Sequence, residues 1–423
     1  MTAALLRANA RTFASLRRHR NYRLFFAGQV VSVSGTCMQN IATAWLVLAL
    51  THSPVAVGLL AVCQFLPFTL FGLFAGVIVD RLDARRTVIG TQAVSMVFAG
   101  VLAGLTLGGV VTAWEVLLLA GLRGTVLVLD APARQALTFE MVGRDELPNA
   151  VALNSSLFNA ARVVGPAIGG LVVAVAGAGM CFAVNAASFA AVLAGLLAMR
   201  VHELHPRSDH AERPTLLRGT GEAFRYVWST PPVLLALLMV TVVSTFSFNF
   251  NVLLPVLARQ TLSGGPDVFG VITACFGAGA LVGALTAASL SRASWRVLVV
   301  GTAGFGLAQL LLAPAATLPL AAVLLFASGL SFTLWTSNAN SLLQLRAPER
   351  LRGRVIGLYY FGFNGAGPAG GLLAGWLAAR GGTELAFGVS GAAALAMAAV
   401  AGGQLRRWAE AGGWRGAREA PAR

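Results

Sequence analysis

A segment written Gly72-x-x-x-Gly76-x-x-x-Asp80-Arg81-x-Asp83-x-Arg85-Arg86 returns 211 positions later as Gly283-x-x-x-Ala287-x-x-x-Ser291-Arg292-x-Ser294-x-Arg296, in a chain of 423 residues. Both copies set an apolar stretch of small residues directly before a short arginine-bearing turn. A duplicated unit of this kind suits two halves that move against each other, and it directs the search for function to the space between them.

The surroundings of the repeat are apolar. Hydrophobic residues make up 57% of the chain and charged residues 11%, with a mean hydropathy of +0.75. A water-soluble chain of this length would lack the polar groups to cover its surface. Twelve runs are long enough to cross a bilayer, at about 20 residues each: residues 22–50, 55–79, 87–108, 114–134, 150–176, 179–199, 231–258, 267–290, 297–315, 319–343, 354–379 and 385–405. Long apolar runs, rather than alternating strands, mean helices that satisfy their own backbone in lipid. The expected fold is an all-α membrane protein of two six-helix bundles. Its parts are an N-terminal segment 1–21, a bundle 22–200, a linker 201–230 with an interfacial helix, a bundle 231–405 and a tail 406–423.

Every one of the 31 basic residues is arginine. Nearly all fall in the tails and even-numbered loops; Arg259 and Arg380 lie in odd-numbered loops, and Arg123 and Arg162 within spans. The positive-inside rule then sets both termini in the cytoplasm of a multi-pass chain in the inner (plasma) membrane. Charge scattered over every loop, +15 net, fits anionic lipid headgroups rather than nucleic acid. The N-terminal apolar run is as long as a full span and reads as a retained helix rather than a signal peptide. Cys37, Cys63, Cys181 and Cys275 form no C-x-x-C pair, and His202, His205 and His210 read as a solvated linker, so neither a metal nor another cofactor is expected. In the linker, Leu217, Phe224 and Trp228 recur at helical spacing, as in a short helix lying on the membrane surface.

Six plus six spans, a long central loop and the repeated G-x-x-x-G-x-x-x-D-R-x-D-x-R-R pattern resemble the major facilitator superfamily. The runs Pro132-Ala-Arg134, Leu147-Pro-Asn149 and Arg162-Val-Val-Gly165-Pro166-Ala-Ile-Gly169-Gly170 are similar to its branch of enterobactin exporters and macrolide efflux proteins. That resemblance implies a gate at Asp80, Arg81, Asp83 and Arg85, closed through an acid on a neighbouring helix, for which Asp130 is the candidate. It also implies an antiporter-like element at Gly165, Pro166 and Gly169, and protons as the coupling ion with Asp130 as the first candidate carrier. Read physically, the pairs Gly72/Gly76 and Gly165/Gly169 and the series Gly367, Gly371 and Gly375 let backbones approach closely, and Pro166 and Pro368 add a missing hydrogen bond at two of these seams.

Arg123 and Arg162 fall at mid-membrane, where an unpaired guanidinium is expensive and normally faces a wet cavity. The first span holds no acid; Gln29, Gln39 and Asn40 are among its polar groups. With Asn159, Asn249, Asn251, Trp335, Asn338 and Asn340 they are the expected substrate-cavity residues. The absence of a carboxylate for a cation favours an anionic or neutral amphiphile, siderophore-like or macrolide-like. No phosphate-binding loop and no lysine are present, which excludes ATP-driven transport by this chain alone, and no nucleophile, base and oxyanion site can be assembled for an enzyme. The expectation is a monomeric secondary transporter exporting a small molecule by alternating access. The alternatives are a broad drug exporter and, in another class, a lipid flippase or a non-transporting sensor.

Overall fold

A computed structural model describes residues 14–205, 216–290 and 293–410. Within them it describes all side chains except those of Leu73, Gly76, Val77, Asp80, residues 216–220, Arg350 and Ala409. Nine helical stretches are long and apolar enough to cross a membrane. Two of these are rods interrupted by glycine. Ala113–Leu197 turns at Gly143 (φ 70°) and at Gly177 (φ 79°), and the stretch ending at Glu410 turns at Gly382 (φ 65°). Positive φ is strained for any residue with a Cβ. The two turns in the first rod and one in the second raise nine stretches to twelve crossing helices.

These helices are α1 Arg20–Thr51, α2 Pro54–Asp80, α3 Ala84–Leu107, α4 113–142, α5 144–176 and α6 178–197. In the second half they are α7 Pro231–Thr261, α8 Pro266–Ser289, α9 Trp295–Leu312, α10 Leu318–Arg346, α11 349–380 and α12 383–410. Prolines in the first turn start α2, α7, α8 and α10, where the missing N–H costs nothing. Inside the bilayer, hydroxyls turn back onto their own helices, as in Thr43 to the Gln39 carbonyl and Thr51 to the Val47 carbonyl, both at 2.7 Å. The expected fourth and fifth spans stopped at 134 and resumed at 150. The helices instead run to 142 and restart at 144, because hydropathy registers the lipid thickness and not the polar turns by which a helix projects beyond it.

The repeat is visible in three dimensions. Asp83 caps α3 by accepting from the Arg86 amide at 2.8 Å, and its counterpart Ser294 caps α9 by accepting from the Arg296 amide at 3.3 Å. Ser291 and Arg292 lie outside the described residues. Within the first half, α1 and α3 pack along the α4–α6 rod; within the second, α8 and α9 pack on α10, and α9 on the rod of α11 and α12.

Two crossings join the halves, α2 with α11 and α5 with α8, and both are backbone against backbone. A Cβ on Gly58 would stand 2.6 Å from the Gly371 carbonyl oxygen, and one on Gly170 would stand 2.6 Å from the Gly270 Cα. Thr69 donates to the Gly365 carbonyl at 3.0 Å, and Trp45 of α1 stacks on Phe269 of α8 with the Arg259 guanidinium 5.8 Å from its ring centre. These named contacts run from the end remote from the arginine-rich loops to about mid-depth. The halves are thus pinned at one end, and the gap between them faces the arginine-rich end.

A short helix, Leu216–Ser229, docks on the second half. Ala223 and Val227 are buried, Tyr226 donates to the Arg346 carbonyl at 2.7 Å, and Glu222 pairs with Arg354 at 3.1 Å. Phe224 and Trp228 stay exposed on its other side, an amphipathic arrangement suited to a membrane surface.

Candidate functional site

Charge in the first half is organised along one face of α4, on which Arg123, Asp130 and Arg134 follow at helical spacing. Asp130 is buried, its side chain 2% exposed. Its Oδ1 accepts from Thr91 Oγ1 at 2.6 Å and from Gln92 Nε2 at 2.8 Å, while Oδ2 is paired with Arg134 one turn along. Arg134 reaches on to Gln29 Oε1 at 2.7 Å. One carboxylate thereby ties α1, α3 and α4 together, and both of its oxygens are occupied.

Asp130 therefore meets neither Arg81 nor Arg85 here, contrary to expectation. Arg85 instead wraps the end of α6, with Nε 3.0 Å and a terminal nitrogen 2.8 Å from the Leu196 carbonyl. A guanidinium suits that position because a helix C-terminus carries unpaired carbonyls and partial negative charge. Arg81 is exposed, and its backbone closes the last turn of α2. Gly72 faces the Phe68 ring of its own helix at 3.2 Å. The surroundings of Gly76 and the side chain of Asp80 lie outside the described residues.

Further along α4, Arg123 donates to Asn40 of α1 at 3.1 Å and lines a small pocket with Gln39, Thr43 and Gln64. Cys37 of α1 lies within electrostatic reach of both Arg123 and Arg162, and its Cβ would meet a Cβ on Gly165 of α5. Arg162 is exposed and has no hydrogen-bond or ion-pair partner among the described residues. A bare guanidinium at mid-membrane is tolerated only beside water, so its place is the gap between the halves.

The second half contributes a neutral wall. A recess of about 400 Å³ lies where α7 and α11 meet α2, lined by Ala61, Phe65, Ser244, Phe248, Asn249, Asn251, Val252, Phe363, Asn364 and Gly367. Both second-half helices are interrupted here, α7 at Phe248–Asn249 and α11 between Asn364 and Gly367. Irregular backbone at membrane depth is tolerated where it lines a cavity.

A family model described as transmembrane secretion effector, a branch of the major facilitator superfamily, matches residues 10–412. The chain belongs to that family. It is 31% identical over 363 residues to the multidrug efflux pump Tap of Mycolicibacterium fortuitum, covering 84% of this chain and 88% of the pump. It is 24% identical over 396 residues to macrolide efflux protein A of Streptococcus pyogenes, covering 91% and 97%. A crystal structure of a bacterial homologue of the human lysosomal transporter Spinster, inward-facing and unoccupied, superposes with a TM-score of 0.69 at 13% identity, over 96% of this chain and 99% of that one. The chain is accordingly a multi-pass membrane transporter of small molecules with the major facilitator fold, and not an enzyme.

Within this transporter, the remaining expected cavity residues divide. Asn251 is exposed and Asn249 buried at the recess, while Asn159 is half-buried on α5. Gln39 turns away to pair with Asn185 of α6. Asn338 accepts from the Ser294 amide at 3.0 Å and fastens the start of α9, and Asn340 bonds Gln344 at 2.6 Å on its own helix. Trp335 is 0% exposed, enclosed by Phe305, Phe332 and Phe363. It belongs to the core of the second half, not to a cavity wall, since a fully enclosed indole presents no face to a substrate.

Gly165 and Gly169 seat α5 on Cys37 and Met38 of α1, inside the first half, with Pro166 buried beside them; the crossing to the second half is made by Gly170. Sequence reasoning missed Arg134, Thr91 and Gln92 around Asp130, Gly58, Gly270 and Gly277 at the crossings, and Phe65, Ser244 and Asn364 at the recess. For Arg134 the signal was present, an acid and a base one turn apart on an apolar helix.

Proposed function

We propose that this chain exports a small anionic or neutral amphiphile from the cytoplasm across the inner membrane by alternating access, coupled to inward proton movement. Residues 22–200 and 231–405 act as the two moving bodies, 201–230 as a strap between them, and 1–21 and 406–423 as cytoplasmic ends. The positive-inside rule makes the arginine-rich end cytoplasmic, so the gap faces the cytoplasm and can load substrate there. The observation that carries the reading is Arg162, uncompensated in that gap: a fixed positive charge attracts an anion and repels a cation. The printed functions of the relatives, multidrug and macrolide efflux, agree with export. A siderophore-like anion or a macrolide-like product fits the cavity chemistry.

For coupling, Asp130 is the carboxylate at hand. In this state three donors fill it, so a proton reaches it only when Arg134 swings away, which would tie protonation to rearrangement of α1, α3 and α4. The chain works as a monomer in this reading, with lipid as its only other partner.

Everted membrane vesicles with an acridine dye test the proposal, with anionic, neutral and cationic compounds added in turn. The expected result is dequenching by anionic or neutral amphiphiles, lost in Arg162→Ala. A response confined to cations would sink the substrate assignment. Asp130→Asn with retained substrate-driven proton flux would remove Asp130 as carrier and leave it a gate residue.

A further inference from the structure

The recess between α2, α7 and α11 has a chemical bias of its own. Pro255 withholds the amide that the Asn251 carbonyl would receive in a regular helix, and Pro368 does the same to the Asn364 carbonyl. Both asparagines line the recess. The side-chain amide nitrogens of Asn249 and Asn364 are spent on their own helices, donating to the Thr245 carbonyl at 2.8 Å and the Tyr360 carbonyl at 3.2 Å. Their amide oxygens remain. Ser244 is 5% exposed, and its buried Oγ has no partner.

Oxygen acceptors thus outnumber donors around a space walled by aromatic rings. Phe248 is fixed by stacking on Phe332 at 4.4 Å and by Phe363 at 5.2 Å, and Phe65 lies 2.9 Å from where a Cβ on Gly367 would stand. No lining residue is charged. A cation entering would shed its water without gaining a carboxylate, whereas a neutral hydroxyl or N–H on a flat ring would satisfy acceptors that are otherwise left wanting.

We propose that this recess is a subsite for the aromatic, hydrogen-bond-donating end of the substrate, read by Ser244, Asn249, Asn251 and Asn364 between the Phe65, Phe248 and Phe363 rings. The assignment rests on the exporter reading above and narrows its substrate to amphiphiles bearing an aryl hydroxyl or an equivalent neutral donor. It is independent of Arg162, which stands at the other crossing, where its carbonyl meets Gly277.

The test uses the full chain in lipid nanodiscs, titrated calorimetrically against empty nanodiscs with three probes: naphthol, its methyl ether, which accepts but does not donate, and naphthylmethylammonium. Wild type should prefer naphthol to the ether by about tenfold, the worth of one well-placed hydrogen bond. Ser244→Ala and Asn364→Leu should reduce that preference to within about twofold while leaving the ether's affinity unchanged; Asn251→Leu, at an exposed position, gives the same readout if the buried variants do not fold. Arg162→Ala should leave the preference intact. Equal binding of naphthol and ether, tighter binding of the ammonium, equal weakening of both neutral probes by the variants, or no binding of any probe would each overturn the subsite. A retained preference without vesicle transport would instead fault the exporter reading, and transport without the preference would fault the subsite alone.

Discussion

The two halves solve the same mechanical problem with different chemistry. In each, a polar residue on the fourth helix grips the third. In the first half it is Asp130, holding Thr91 and Gln92 of α3 and countered by Arg134; in the second it is the neutral amide Asn338, holding the Ser294 amide at the start of α9. Loops show the same asymmetry, since Asp83 caps α3 where Ser294 caps α9. A duplicated unit needs its grip twice for shape, but a charge that responds to protons or to an arriving partner is needed only once. The difference between the copies marks the first half as the responsive one and the second as the frame.

That contrast can be broken experimentally, and the strongest blow falls on Asp130. Asp130→Ala leaves Arg134 without its counter-charge in a mostly buried site, a loss of about 3–5 kcal/mol. Thermal unfolding of the purified chain should show a large fall, and a stability equal to wild type would mean that the network is not what binds α1, α3 and α4.

Next in size is the crossing shared by both halves. Gly170→Val would drive a methyl-bearing carbon to within 2.5 Å of the Pro266 carbonyl oxygen, an overpacking of about 1–3 kcal/mol that falls on the state in which this end is pinned. Cysteine labelling of the arginine-rich mouth should become slower; unchanged labelling would show that the glycines are mere close packing. Asn338→Leu, the second-half counterpart of the Asp130 change, should cost only about 1 kcal/mol, as for a lost helix-start bond. If its cost matched that of Asp130→Ala, the proposed division between responsive half and frame would fail.

The smallest effect lies outside the membrane, where His19 meets His205 with ring centres 6.2 Å apart. Burial, with the neighbouring His205 next, lowers the His19 pKa below 6.5, against the opposing pull of Glu146. A folded-state value below the unfolded one means that the unfolded chain binds the extra proton first, so stability is present above about pH 6.5 and is lost as pH falls through the depressed value. Hydrogen exchange at Ala14–Arg18 should rise modestly below that pH, and His19→Ala should abolish the pH dependence.

The architecture was legible in the sequence because lipid leaves few options: every apolar run of sufficient length had to be a helix, and the arginines sorted the loops. The turn at Gly143 was not legible, because α4 and α5 run on past the apolar zone into residues that hydropathy treats as loop. Rotation about a helix axis was the harder question. Asn251 and Asn338 are both asparagines inside apolar helices, yet one is exposed at the recess and the other fastens a helix start. Nothing in a linear pattern separates the two when a helix is packed on several sides. Arg162 was legible for the opposite reason, since a charge with no acid in reach along its own helix has only water to turn to.

The pivots of this molecule are made of main chain. At Gly58 with Gly371, and at Gly170 with Gly270, what touches across the divide is the part of the polypeptide that every sequence shares. A lineage is therefore free to exchange the rings and amides of the recess, or the arginine opposite, for other groups without disturbing the surfaces on which the halves turn. Cargo and motion are inherited separately, so new compounds can be accommodated by substitution on the walls while the machinery that swings them stays as it is.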